Sequence, residues 1–251
     1  MGQGFDGGAA SAPGTARAPV VGPEGPTWER ESVIRVRGVT KVYRQGELEV
    51  RALRGVDLDL APGEFTAMAG PSGSGKTTLL NLIGALDRPT EGWAEVSGHR
   101  VSTLDAGDAA DFRLDHVGFI FQAYNLVPVL TAYENAEFTL LLRGVDADRR
   151  RAVVEPLLER VGLGAMMDRR PPELSGGQQQ RVAVVRALAT HPDVVLADEP
   201  TANLDSATSG ELLDLMLELN REMGITFLFS THDETVIERA RRVIRLRDGR
   251  V

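Results

Sequence analysis

The chain has 251 residues, 42% of them hydrophobic, a net charge of −8 and no cysteine. Without cysteine, disulfide scaffolds, thiolate metal sites and cysteine nucleophiles are excluded, and the acidic balance argues against nucleic acid held through its phosphate backbone. The length suits one α/β domain with a modest second lobe; no run of about 18 apolar residues and no secretory start is present, so a soluble, cytosol-side chain is expected.

Residues 1–31 are rich in Gly, Ala and Pro with few large apolar side chains, and are predicted to form a disordered tail. The folded unit is predicted over residues 32–251, beginning with β-like runs at 33–39, 50–53 and 56–60. A Pro62-Gly63 turn then leads into a strand at 65–69. A glycine-rich loop follows, then a helix over 77–86 and short strands at 94–96 and 117–121. The stretch from about 126 to 190 reads as an inserted helical lobe, with Val153, Val154, Leu157, Leu158 and Val161 at helical spacing before Gly162 and Gly164. Strand, helix, strand and strand are predicted at 194–197, 206–223, 225–230 and 243–246, restoring the α/β alternation.

Of the two lysines, Lys41 and Lys76, the second lies in the run Gly70-Pro71-Ser72-Gly73-Ser74-Gly75-Lys76-Thr77-Thr78. This matches the phosphate-loop pattern and stands between a predicted strand and a predicted helix, the context the pattern requires. The glycines let successive N–H groups face phosphates, the helix start adds positive potential, Lys76 reaches the β- and γ-phosphates, and the Thr77 hydroxyl suits Mg²⁺. An incidental glycine turn is the plain alternative, and the flanking elements speak against it. The run Val194-Val195-Leu196-Ala197-Asp198-Glu199 reads as a buried strand ending in two carboxylates. Asp198 is placed to hold Mg²⁺ through its water shell, and Glu199 to polarise a water for attack on the γ-phosphate.

Those two motifs fit any P-loop nucleotide hydrolase. A third, Leu174-Ser175-Gly176-Gly177-Gln178-Gln179-Gln180-Arg181, precedes a helical run. Ser175 caps it and the glycines leave its first N–H groups accessible, which makes a second phosphate cradle. One nucleotide rarely needs two cradles, so the second is expected to serve another copy of the chain, packed head-to-tail about a two-fold axis. A merely well-capped helix is the alternative.

With these residues in order, LSGGQQQR resembles the signature motif of ABC ATPases, and residues 33–251 resemble that family. The resemblance implies a P-loop core with a mainly parallel central sheet, an N-terminal antiparallel β subdomain and an inserted α-helical subdomain. It also implies ATP and Mg²⁺ as ligands. Tyr43 matches the adenine-stacking aromatic, Gln122 the glutamine that senses Mg²⁺ and the attacking water, Asp205 of Asn203-Leu204-Asp205 the cross-dimer loop, and His232 the γ-phosphate switch histidine. Each has a plainer alternative: sheet packing for Tyr43, a polar loop for Gln122, a surface histidine for His232. His99, His116 and His191 are read as structural. The arginines at 239, 241, 242, 245, 247 and 250 are read as a solvated face, with contact to anionic lipid headgroups the alternative.

The stretch from Phe119 to Asn135, with the phosphate loop and ELSGGQQQR, resembles the lipoprotein-releasing and macrolide-export branch, which includes cell-division relatives. Ala202 and the run AEFTLLL at 136–142 depart from that branch's usual residues. The resemblance implies a peripheral position on the cytoplasmic side of the inner membrane and a permease partner contacted through Gln122 to Leu142. A regulatory ATPase of a membrane complex that translocates nothing remains open beside the transporter reading.

Overall fold

The computed structural model describes residues 32–46 and 48–251. The predicted tail at 1–31 lies outside the described residues. Two strands open the fold, β1 (Ile34–Gln45) and β2 (Leu48–Leu60), paired antiparallel. With β4 (Glu91–Val96), antiparallel on the other side of β1, they make a three-stranded sheet in the order β2-β1-β4. These strands run longer than the β-like patches at 33–39, 50–53 and 56–60. The ladder shifts register near Gly38 and Gly55, both at positive φ (57° and 78°), so a bulge absorbs the break in alternation and pairing resumes.

The second sheet is parallel throughout, in the order β5-β6-β7-β3-β8, from β3 (Phe65–Ala69), β5 (Val117–Phe121), β6 (Val194–Asp198), β7 (Thr226–Thr231) and β8 (Arg242–Arg245). Every residue of β3 and β7 is buried, as expected for strands covered on both faces. The expected pairing of an antiparallel N-terminal sheet with a parallel central one is therefore present.

Helices α1 (Lys76–Ile83), α2 (Ala106–His116), α3 (Ala132–Leu142), α4 (Ala147–Arg160), α5 (Gly176–Leu188), α6 (Ser206–Met223) and α7 (Glu234–Arg239) complete the chain. Helix α1 stops short of the predicted 86 because Gly84 ends it and Ala85 turns left-handed (φ 53°). Helix α2, which the pattern did not predict, buries only Ala109 and Phe112 and starts on the Asp105 side chain, which accepts from the Asp108 N–H at 2.9 Å. The stretch 126–190 forms three α-helices. Ala136 and Leu140 of α3, Val154 and Leu158 of α4, and Val182 and Val185 of α5 share one apolar core. The spacing of Val154 and Leu158 sets the inward stripe, whereas Val153 is 39% exposed. A second core joins the two sheets around Val36, Leu58, Met68 and Leu82. A third packs Phe65, Phe227 and Phe229 against Leu212 and Met216 of α6.

Candidate active site

Strand β3 lies between β7 and β8, and its C-terminal end delivers the chain into the loop Gly70–Gly75 at the edge where ligands of parallel sheets bind. Side chains are excluded at two points of this loop. A Cβ on Gly70 would stand 2.1 Å from the Leu246 carbonyl oxygen, and one on Gly75, at φ 104°, would stand 2.5 Å from that of Ala52. Helix α1 begins with no side-chain cap and no acidic residue in its first turn. Its first N–H groups are thus left for an external anion. Lys76 is buried and folds back over the loop, its Nζ donating to the carbonyls of Gly70 at 2.7 Å and Pro71 at 3.2 Å. The Ser74 hydroxyl is buried beneath without a hydrogen-bond partner.

Strand β6, between β5 and β7, ends beside this loop. The Thr77 hydroxyl donates to Asp198 Oδ1 at 3.2 Å. At the next residue the chain turns left-handed: Glu199 has φ 47°, and its N–H is held by the Ser230 carbonyl at 2.9 Å. A non-glycine residue in that region costs about 1 kcal/mol or more, and such strain gathers at reaction centres. The bend aims the Glu199 carboxylate into the cleft, where it accepts from His232 Nδ1 at 2.7 Å and the Thr231 hydroxyl at 3.3 Å. Gln122 is exposed in the turn after β5, its carbonyl accepting from Asn203 Nδ2 at 2.8 Å. The resulting cleft, about 640 Å³, is lined by Tyr43, Ser72, Gly73, Gly75, Lys76, Thr77, Thr78, Gln122, Glu199 and His232. Gly70, Pro71 and Ser74 shape its wall through the contacts above.

Tyr43 is fixed by a residue that sequence reasoning missed. Its hydroxyl donates to Asp87 Oδ2 at 2.9 Å, while Lys41 Nζ donates to Asp87 Oδ1 at 2.6 Å and lies 4.9 Å from the Tyr43 ring centre. The one usable signal was Lys41 itself, a rare lysine two residues before the aromatic. Burial pushes the Asp87 carboxyl up, but hydrogen bonds from Lys41, the Arg88 N–H and Tyr43 outweigh it and hold it below the ordinary carboxylate range. A depressed carboxylate stabilises the fold above its unfolded-state pKa, and that contribution is lost as pH falls below about 4. Asp87→Asn is expected to abolish this acid-side contribution, seen as a smaller fall in melting temperature on acidification.

The second cradle stands apart. Ser175 Oγ accepts from the Gln178 N–H at 3.3 Å and Gln178 Oε1 accepts from the Ser175 N–H at 2.9 Å, a reciprocal cap on α5. A Cβ on Gly176 would stand 2.9 Å from the Tyr124 hydroxyl, and one on Gly177 2.6 Å from Thr208 Cγ2. Asp205 caps α6, accepting from the N–H groups of Ala207 at 3.1 Å and Thr208 at 2.9 Å and from the Thr208 hydroxyl at 2.7 Å. These bonds, those from Thr208 foremost, hold its carboxyl below the usual range. Ser175, Gly176, Gly177, Gln178 and Asp205 therefore cluster with one another, and none of them lines the Lys76 cleft.

A phosphate loop at the end of a central parallel strand, facing an Asp–Glu pair at the end of β6 with β7 between the two strands, defines a P-loop nucleotide hydrolase. The family described as ABC transporter matches residues 53–202. The chain is 47% identical over 221 residues to an ABC transporter ATP-binding protein of Thermotoga maritima, covering 88% of this chain and 94% of that one. It is 49% identical to the lipoprotein-releasing system ATP-binding protein LolD of Anaeromyxobacter dehalogenans, covering 87% of this chain and 92% of that one. Against the macrolide export ATP-binding/permease protein MacB of Hyphomonas neptunium it is 48% identical over 87% of its own length but only 34% of that protein's. Among solved structures, the ATP-binding cassette MJ0796, in a dimeric post-hydrolysis state bound to ADP and Pi, matches with a TM-score of 0.80 and 42% identity over 87% of this chain and 96% of that one. The chain belongs to the ATP-binding subunits of ABC transporters, and its chemistry is ATP hydrolysis.

Proposed function

We propose that this chain hydrolyses MgATP at the interface of a head-to-tail dimer of itself and thereby drives a separate membrane subunit of the lipoprotein-release or macrolide-export type. The observation that carries the reading is the separation of two phosphate cradles in one chain. The cleft gathers Lys76, Thr77, Glu199 and His232, while Ser175 to Gln178 sit elsewhere, capped and packed on Tyr124 and Thr208. A second copy brings the missing cradle to the γ-phosphate.

In this reading adenine stacks on Tyr43, the loop amides and Lys76 receive the phosphates, and Glu199 accepts the proton of the attacking water. The Lys76 ammonium exchanges the Gly70 and Pro71 carbonyls for phosphate oxygens. Thr77 and Asp198 offer two hard oxygen donors in contact, which fits Mg²⁺, an ion that keeps waters and takes phosphate oxygens besides. When bound, the ion neutralises phosphate charge. His232, 2.7 Å from the Glu199 carboxylate, orients that base and stands ready to donate to the γ-phosphate.

The membrane partner enters through a groove of about 500 Å³ to which Phe138 and Leu142 of the Gln122–Leu142 region contribute together with Leu114, Phe119 and Phe121. It takes a short cytoplasmic helix of the permease, which places the chain on the cytoplasmic side of the inner membrane. Among the described residues no helix is long and apolar enough to cross a membrane.

Ser175→Asp tests the dimer. Aspartate caps a helix as well as serine does, so melting temperature should hold, while its charge repels the γ-phosphate arriving from the other copy. ATPase activity is expected to fall more than about tenfold, with no MgATP-dependent dimer on sizing. A wild-type dimer and wild-type turnover in this variant would overturn the composite site.

A further inference from the structure

The turn after Gln122 is held in an unusual shape. Tyr124 and Asn125 are both left-handed, with φ 58° and 51°. Two successive non-glycine residues adopt that conformation only where the surroundings hold them there. Arg186, from α5, does the holding: its guanidinium donates to the Asn125 carbonyl at 2.5 Å and to the Tyr124 carbonyl at 2.8 Å. Burial pushes this guanidinium below its ordinary pKa, and no charged neighbour contributes to the shift. Among the described residues two carbonyls alone satisfy this half-buried cation, whose desolvation is costly, so the bonds it makes are sensitive to where those carbonyls stand.

The same turn is tied at two further points. Asn203, four residues past Glu199, donates to the Gln122 carbonyl at 2.8 Å. The Tyr124 hydroxyl occupies the space that a Cβ on Gly176 would enter, at 2.9 Å. Residues 122–125 thus touch the loop after Glu199, the start of α5 and the last turn of α5. Arg186 also lines the apolar groove beside Phe121 and Phe138.

We propose that Arg186 is a positioning residue for Gln122: by clamping the Tyr124 and Asn125 carbonyls it keeps the turn left-handed and couples the place of Gln122 in the cleft to the position of α5. This rests on the role given to Gln122 above. Without the clamp the turn relaxes towards ordinary dihedrals and Gln122 leaves the cleft edge, while the phosphate loop and Tyr43 are untouched. Turnover falls; nucleotide binding does not.

The test is steady-state ATPase kinetics of the full chain, with affinity from titration by a fluorescent ATP analogue and melting temperature as the fold control. Arg186→Ala is expected to lower kcat about tenfold with affinity within about twofold, since relaxing strain of this kind is worth that factor. Arg186→Lys should recover only part, because an ammonium cannot reproduce the planar two-carbonyl fork. Asn125→Val keeps Arg186 and changes an exposed side chain, yet penalises the left-handed backbone; it should lower kcat in the same direction. Asn125→Gly in the Arg186→Ala background should restore part of the loss. Wild-type kcat in folded Arg186→Ala and Asn125→Val overturns the clamp, as does a parallel fall of kcat, affinity and melting temperature. Gln122→Ala separates the two ideas. If it turns over like wild type, the role of Gln122 fails and the clamp with it; if it is impaired while Arg186→Ala is not, only the clamp fails.

Discussion

Glu199→Gln is expected to slow ATP turnover by about 10²- to 10⁴-fold, the range for removing a positioned general base, while leaving MgATP binding intact. The substitution keeps the volume of the side chain and an oxygen for the Thr231 hydroxyl, and it leaves the left-handed bend at residue 199 in place. Only proton acceptance is lost. Bound MgATP then persists, and the two-copy closed form should accumulate on sizing columns in MgATP and disappear in MgADP. A phosphate-release assay reads the first effect and light scattering the second. Turnover within about threefold of wild type would remove Glu199 as the base, because a true general base contributes far more.

Lys76→Ala should weaken ATP binding about 10- to 100-fold, as expected for losing one or two charge-assisted hydrogen bonds to phosphate. The ammonium is buried and poised on the Gly70 and Pro71 carbonyls, so it is already inside the loop that the phosphates enter. Truncation leaves those carbonyls pointing inward, repelling the anion that the lysine attracted. Adenosine offers the decisive control. It lacks phosphates, so its affinity should be unchanged by Lys76→Ala and reduced by Asp87→Asn, which acts through the Tyr43 ring. If adenosine and ATP weaken equally in Lys76→Ala, the lysine supports the loop's shape rather than the phosphates.

The parts of the site that were legible in sequence are those whose chemistry is local. Lys76 and Thr77 follow the glycines within one loop, Asp198 and Glu199 end one apolar run, and Ser175 and Gln178 satisfy each other three residues apart. Asp87 was not legible, because its meaning depends on Lys41 and Tyr43 of β1, more than forty residues earlier. Arg186 was hidden for a similar reason: within α5 it is one more polar residue, and its carbonyl partners lie some sixty positions back. Left-handed backbone at Glu199, Tyr124 and Asn125 leaves no trace in composition, since no glycine marks it. Helix α2 escaped because a helix that buries two side chains has almost no apolar stripe. The strand lengths of β1 and β2 were underestimated because bulges interrupt the alternation that periodicity detects.

The self-contained cap at the head of α5 has a kinetic consequence. Ser175 and Gln178 complete each other's hydrogen bonds within one chain, so the head of α5 needs no second copy to hold its shape. With the two-copy site proposed above, the rate of ATP consumption at low concentration should grow with the square of the amount of protein, and anything that gathers two copies would act as the ignition.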